Sequence, residues 1–138
     1  MSKRILGTII GIIASFIGVL IWCVMYVFVG IIANVTGCLC GFFFIYFYKK
    51  INRQEDSKYP YICGGIMIVI DCFIAVLGCM LAYSLIEKKN FNYIINNNEL
   101  LIYYIFDLLG GLCFSAIIYI SYVLKRIKVQ KVNDENII

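Results

Sequence analysis

Charged residues are confined to four short clusters, and apart from Asp71 and Asp107 the chain between them is apolar or weakly polar. From residue 5 to residue 48 no Asp, Glu, Lys or Arg occurs. As one helix that run would measure about 66 Å at ~1.5 Å per residue, twice the ~30 Å hydrocarbon thickness of a bilayer. It is therefore expected to cross twice. A turn between Asn34 and Gly37 would leave too short a second half, so the turn is placed near residues 26–30. Two further apolar runs, 61–85 and 100–124, each carry one aspartate. The pattern predicts an all-α polytopic membrane protein, a single integral domain with four transmembrane helices at 5–28, 30–48, 61–85 and 100–124. Between and after them lie polar segments 49–60 and 86–99 and a tail, 125–138.

The basic residues orient these spans. With four crossings, ten of the 12 Lys and Arg fall on one side, from Lys3 and Arg4 through Lys49, Lys50, Arg53 and Lys58 to Lys125, Arg126, Lys128 and Lys131. Only Lys88 and Lys89 fall on the other, so both termini are expected in the cytoplasm. Every tyrosine but Tyr93 falls at or near a span end, and Trp22 and Tyr26 are expected at the far interface, where amphipathic rings prefer to sit. Composition agrees with this reading: 63% of residues are hydrophobic, 14% are charged and the mean hydropathy is +0.93. Soluble domains average about 45–50% apolar and ~25% charged.

Targeting motifs do not change the picture. Lys3, Arg4 and the stretch after them resemble a secretory signal, but the apolar run continues far beyond the ~7–15 residues of a signal core. Val35 to Cys38 imitates a lipoprotein cleavage box, yet more membrane span follows it. Asn34-Val35-Thr36 imitates a glycosylation acceptor, but inside a span.

Small residues mark the packing faces. Gly7, Gly11, Ser15 and Gly18 share one face of the first span, and Gly30, Asn34, Gly37 and Gly41 share one face of the second. Such faces let backbones approach closely in lipid, so the first two spans are expected to form a tight hairpin, with a homo-oligomer or another membrane protein as the alternative contact. Gly111 belongs to a similar stripe in the fourth span. Seven cysteines, none in a C-x-x-C, read as small apolar side chains, not as a disulfide framework or a metal site. The basic tail KRIKVQK begins at a span end and reads as a topology signal in contact with anionic lipid, with no nucleic-acid partner.

Histidine is absent, which removes the commonest general base and metal ligand. The remaining candidate chemistry lies in Asp71, near mid-bilayer, and Asp107, roughly 10 Å from the outer surface. A charged residue at a helix centre costs about 2.5–3.5 kcal/mol, so each acid needs a partner or a proton. Asp71 shares a stripe with Gly64, Ala75 and Gly78, and Asp107 shares one with Gly111 and Ser115, so both are expected to point inward. No intramembrane Lys or Arg can neutralise them. They are expected either to share a proton or to donate as neutral acids to Asn34, Ser115 or a backbone carbonyl. The first arrangement suits proton- or cation-linked transport and the second a structural clamp between helices.

Two aspartates in four spans also bring lipoprotein signal peptidases to mind. The Asn before and the Arg after that family's first aspartate are missing here, where Val69, Ile70 and Cys72 surround Asp71, and IFDLL around Asp107 lacks the second motif's Asn. Small multidrug exporters need an acid in the first span, and this first span has none. The chain more closely resembles a loose group of multi-span inner-membrane proteins of low-GC Gram-positive bacteria. It shares their Gly-punctuated opening span ending near Trp (LGTIIGIIASFIGVLIW), their second Gly-rich span ending in an aromatic-basic turn (VGIIANVTGCLCGFFFIYFYKK) and their Asp-Gly-Phe closing span (YIFDLLGGLCF). That resemblance implies a bacterial cell membrane location and no particular activity. The sequence thus leads us to expect a non-catalytic accessory, assembly or regulatory component without cofactor or metal, and as the alternative a small transporter using Asp71 and Asp107.

Overall fold

The described residues, 2–29, 37–53 and 58–137 of a computed structural model, form helices and turns without a strand. In chain order the helices are α1 (Lys3–Val29), α2 (Cys38–Ile51), α3 (Tyr59–Ile86), α4 (Phe91–Asn96) and α5 (Asn98–Ile137). Three of them, α1, α3 and α5, are long and apolar enough to cross a membrane. Their surfaces match that environment, because large apolar side chains such as Leu20, Phe28, Ile62 and Phe106 point outward while Ser15, Asp71 and Ser115 are enclosed. This inverted distribution is that of a membrane protein.

Local chemistry sets the helix ends. The Ser2 hydroxyl accepts from the Arg4 N–H at 3.3 Å at the start of α1. Pro60 sits in the first turn of α3, where its missing N–H leaves no bond unmade. Lys88 closes α3 at a φ of 52°, and the Lys89 N–H reaches back to the Ser84 carbonyl at 3.0 Å, a helix stop usually built on glycine. The Asn97 side-chain oxygen accepts from the Glu99 and Leu100 N–H groups and starts α5. Between these stops α4 tucks Ile94 fully into the end of the bundle.

The chain does not turn between residues 26 and 29, where a turn is expected. α1 remains helical through Val29, since nothing in its apolar run breaks it, and the second expected span is seen as the 14-residue α2. Gly30, Asn34 and the imitation motifs at Asn34 to Thr36 lie outside the described residues. At about 21 Å, α2 is shorter than the hydrocarbon layer. It gains length at its other end, where the helix runs past Tyr48 and takes Lys49 and Lys50 into its last turn, beside the negative end of the helix dipole.

α1 and α2 pack antiparallel. A Cβ built on Gly18 would lie 2.7 Å from the Cys40 backbone nitrogen, one on Gly11 2.9 Å from the Phe44 ring, and one on Gly7 3.2 Å from the Tyr48 ring. The glycine stripe of α1 thus receives side chains and backbone of α2. The glycines of α2 do not answer it as the matched faces predict. Gly41 turns toward Ile68 of α3 and Tyr119 of α5, and Gly37 toward Cys72, Ser115 and Trp22. Both partners gain from this, because a large side chain entering a glycine groove fills more of it than a second glycine would. α3 and α5 close the bundle against α2, and the Tyr119 hydroxyl donates to the Tyr61 carbonyl at 2.6 Å.

Trp22 overturns its expected interfacial position. It is fully buried between Gly37 and Gly111, and a Cβ on either glycine would collide with the indole or crowd it, at 2.5 Å for Gly111 and 3.2 Å for Gly37. Two glycines on different helices open a slot of indole size, and filling it outweighs the preference of the ring for the bilayer surface.

Candidate functional site

Both intramembrane acids are enclosed, Asp71 at 0% exposure and Asp107 at 4%. They stand on the buried stripes of their helices. In α3 this stripe runs Gly64, Ile68, Asp71, Cys72 and Ala75, and in α5 it runs Tyr104, Asp107, Gly111, Ser115 and Tyr119.

The structure does not bring the two acids together. The Asp71 carboxyl faces Ser15 of α1 and Cys40 of α2, whereas Asp107 lies toward Tyr26 of α1, Cys79 of α3 and Tyr104 of its own helix. Cys79 stands eight residues beyond Asp71 along α3, and Ser115, which faces Cys72, stands eight residues beyond Asp107 along α5. Both registers put about 12 Å, just over two helical turns, between the carboxyl levels. Of the two arrangements the sequence leaves open, a proton shared between the acids is excluded by this distance. Asn34, the third polar candidate, lies outside the described residues.

The two sites also differ in how they are satisfied. Asp107 has an interaction partner. Asp71 faces Ser15 and Cys40, but neither of its buried oxygens has a hydrogen bond among the described residues. Its nearest hydroxyl is committed elsewhere, since Ser15 Oγ donates to the Ile12 carbonyl at 2.7 Å. An unpartnered polar group in such surroundings costs on the order of 1–3 kcal/mol, more if charged, which a purely architectural residue would not impose on the fold.

Sequence reasoning missed the thiols around these acids. Cys40 and Cys72 stand beside Asp71, and Cys23 meets Cys79 across α1 and α3 near Asp107. No helical spacing within one span reports contacts that cross between spans. Among the described residues no three Cys, Asp or Glu side chains converge to hold a metal ion.

Lys3, Arg4, Lys49, Lys50, Arg53 and Arg126 gather at one end of the bundle. Lys3, Arg4, Lys50 and Arg53 line one cleft, and Lys49, Lys50, Arg53 and Arg126 line another. Arg4 lies over the Tyr59 ring at 4.1 Å, and the neighbouring Thr8 hydroxyl is 3.1 Å from that of Tyr59. At the opposite end Lys89 lies over the Tyr93 ring at 4.3 Å. There the Asn97 side chain, with Lys89, holds the Tyr93 phenol below its ordinary range.

Comparison of the chain with protein-family models, curated proteins and solved structures finds no match.

Proposed function

We propose that the chain is a multi-pass protein of the bacterial cell membrane that crosses four times with both termini in the cytoplasm. In our reading it works as a non-catalytic component of a membrane transport system in which Asp71 takes up and releases a proton or small cation. The observation that carries this reading is the carboxyl of Asp71, enclosed by the bundle with neither oxygen hydrogen-bonded among the described residues. A structural clamp holds helices together through the bonds its acid makes, and Asp71 makes none among the described residues. A titratable site needs the opposite, an acid whose oxygens are open to a transferable ion. The crossing number is supported by the antiparallel return of α2 along α1 and by the basic residues of α1, α2 and α5 at one end, the pattern of a cytoplasmic face.

A second reading rests on α5, which continues as a helix to Ile137 although its last buried residue is Tyr119. The exposed end, about 20 Å of helix from Leu124 on, would serve an accessory protein as an arm for a partner.

The test compares Asp71→Asn with Asp71→Ala. Infrared spectra of the wild-type protein in lipid should contain a carboxylic C=O band that converts reversibly to carboxylate on raising pH and is missing in Asp71→Asn. Asn keeps a donor and an acceptor but cannot titrate, so its membrane abundance should match wild type while complementation of a deletion is lost. Full complementation by Asp71→Asn, or a band indifferent to pH, overturns the proposal.

A further inference from the structure

α2 and α5 touch within the bundle and part toward its basic end. Where they touch, the Phe42 ring meets Tyr122 edge-on at 4.9 Å between centroids and Tyr119 at 5.9 Å. Beyond this contact the helices leave a cleft of about 770 Å³, whose mouth is formed by Lys49 and Lys50 from the last turn of α2, Arg53 just after it, and Tyr122 and Arg126 from α5. Among the described residues no carboxylate lines it. Two of the cations are held in place by aromatic rings. The Lys49 ammonium donates to the Tyr61 hydroxyl at 2.5 Å, and the Arg126 guanidinium stands 5.5 Å from the Tyr122 ring. The adjoining cleft shares Lys50 and Arg53 and adds Lys3 and Arg4, so the positive field extends around this end of the bundle.

We infer that this cleft binds the phosphate headgroup of an anionic phospholipid. Lys and Arg supply charge-assisted bonds to phosphate oxygens, and Arg adds the two-pronged geometry suited to them. A free phosphate would need only the charges. The wall below them is apolar, with Phe42 and Ile45 deep in the cleft and Tyr46 61% exposed on the outer flank, and it continues from the cationic mouth toward the depth of the bundle. That is the arrangement an acyl chain requires once its headgroup is held. The inference rests on the reading that this end meets the membrane surface, but not on which leaflet it meets. Basic pockets between helices at this level are suited to anionic headgroups.

The full-length protein in neutral detergent, titrated with phosphatidylglycerol and followed by thermal unfolding, tests the site. Phosphatidylglycerol should raise the unfolding temperature saturably, and phosphatidylcholine should not. The combined Lys50→Gln, Arg53→Gln, Arg126→Gln variant should unfold as wild type in detergent alone, because these residues are exposed, and should need at least about tenfold more phosphatidylglycerol. Removing the same charge at residues of α5 that do not line the cleft, by Lys125→Gln, Lys128→Gln and Lys131→Gln, should leave the titration within about twofold of wild type. An equal loss in both triple variants would show unspecific attraction and overturn the site. Equal stabilisation by inorganic phosphate would assign the cleft to a free anion and overturn the lipid. If the cleft variant alone loses binding and the reporter topology nonetheless places this end outside, the headgroup site stands and the orientation falls.

Discussion

Trp22 and Gly111 compete for one volume: a methyl group on Gly111 would lie 2.5 Å from Cη2 of the indole and 2.9 Å from Cζ2. The glycine exists at that position of α5 because the tryptophan of α1 lies across it, and the same indole covers Gly37 of α2. One side chain thus sets the spacing of three helices just above the level of Asp71.

Gly111→Ala should therefore destabilise the protein by about 1–3 kcal/mol, the usual range for overpacking a filled core. Gly110→Ala, one position away and only partly buried, should be close to neutral. Thermal unfolding in one detergent compares them. Trp22→Phe should restore part of the loss in the Gly111→Ala background, because the smaller ring vacates the contested space. Losses that simply add in the double variant would mean that the two residues do not meet.

Gly18 offers a check on the α1–α2 hairpin. Its missing side chain would meet Cys40 backbone, which cannot rotate away, so Gly18→Val should sharply reduce the folded fraction recovered from membranes. Leu20→Val lies on the outward face and should leave that fraction unchanged. Fluorescence-detected gel filtration measures both.

Reporter fusions examine the crossings. A reporter active only in the cytoplasm should work when fused after Arg53 or Lys131, and one active only outside should work after Asn97. Cytoplasmic activity at Asn97 would remove the four-span arrangement.

The helices were legible where a single local property decides them. Long apolar runs, charge clusters and the acids' inward stripes appear in the chain itself, and the apolar run 61–85 lies within the single helix α3. What escaped depends on how helices meet. Trp22 obeys a slot made by glycines on α2 and α5, which no pattern within α1 announces. A turn at 26–30 follows from a length rule that stops the second helix before its lysines, whereas α1 runs through Val29 and α2 takes the lysines into its last turn. The separation of Asp71 from Asp107 depends on the relative slide of α3 and α5, and counting residues from span ends cannot measure a slide.

That separation yields the last prediction. Acids that share a proton lose it as a unit, so removing either would remove most of the effect of removing both. Acids about 12 Å apart with different neighbours should act independently, because substitutions farther apart than ~7–10 Å without shared partners add to within about 0.5 kcal/mol. The stability changes of Asp71→Asn and Asp107→Asn should therefore sum to that of the double variant. Their signs should differ as well. Asp107 has a partner to lose, so its substitution should destabilise, whereas Asp71→Asn removes an unpartnered acid and should be neutral or stabilising. Unfolding of the four proteins in one detergent at one pH closes the cycle. A coupling above about 1 kcal/mol would return the two carboxyls to a single shared site.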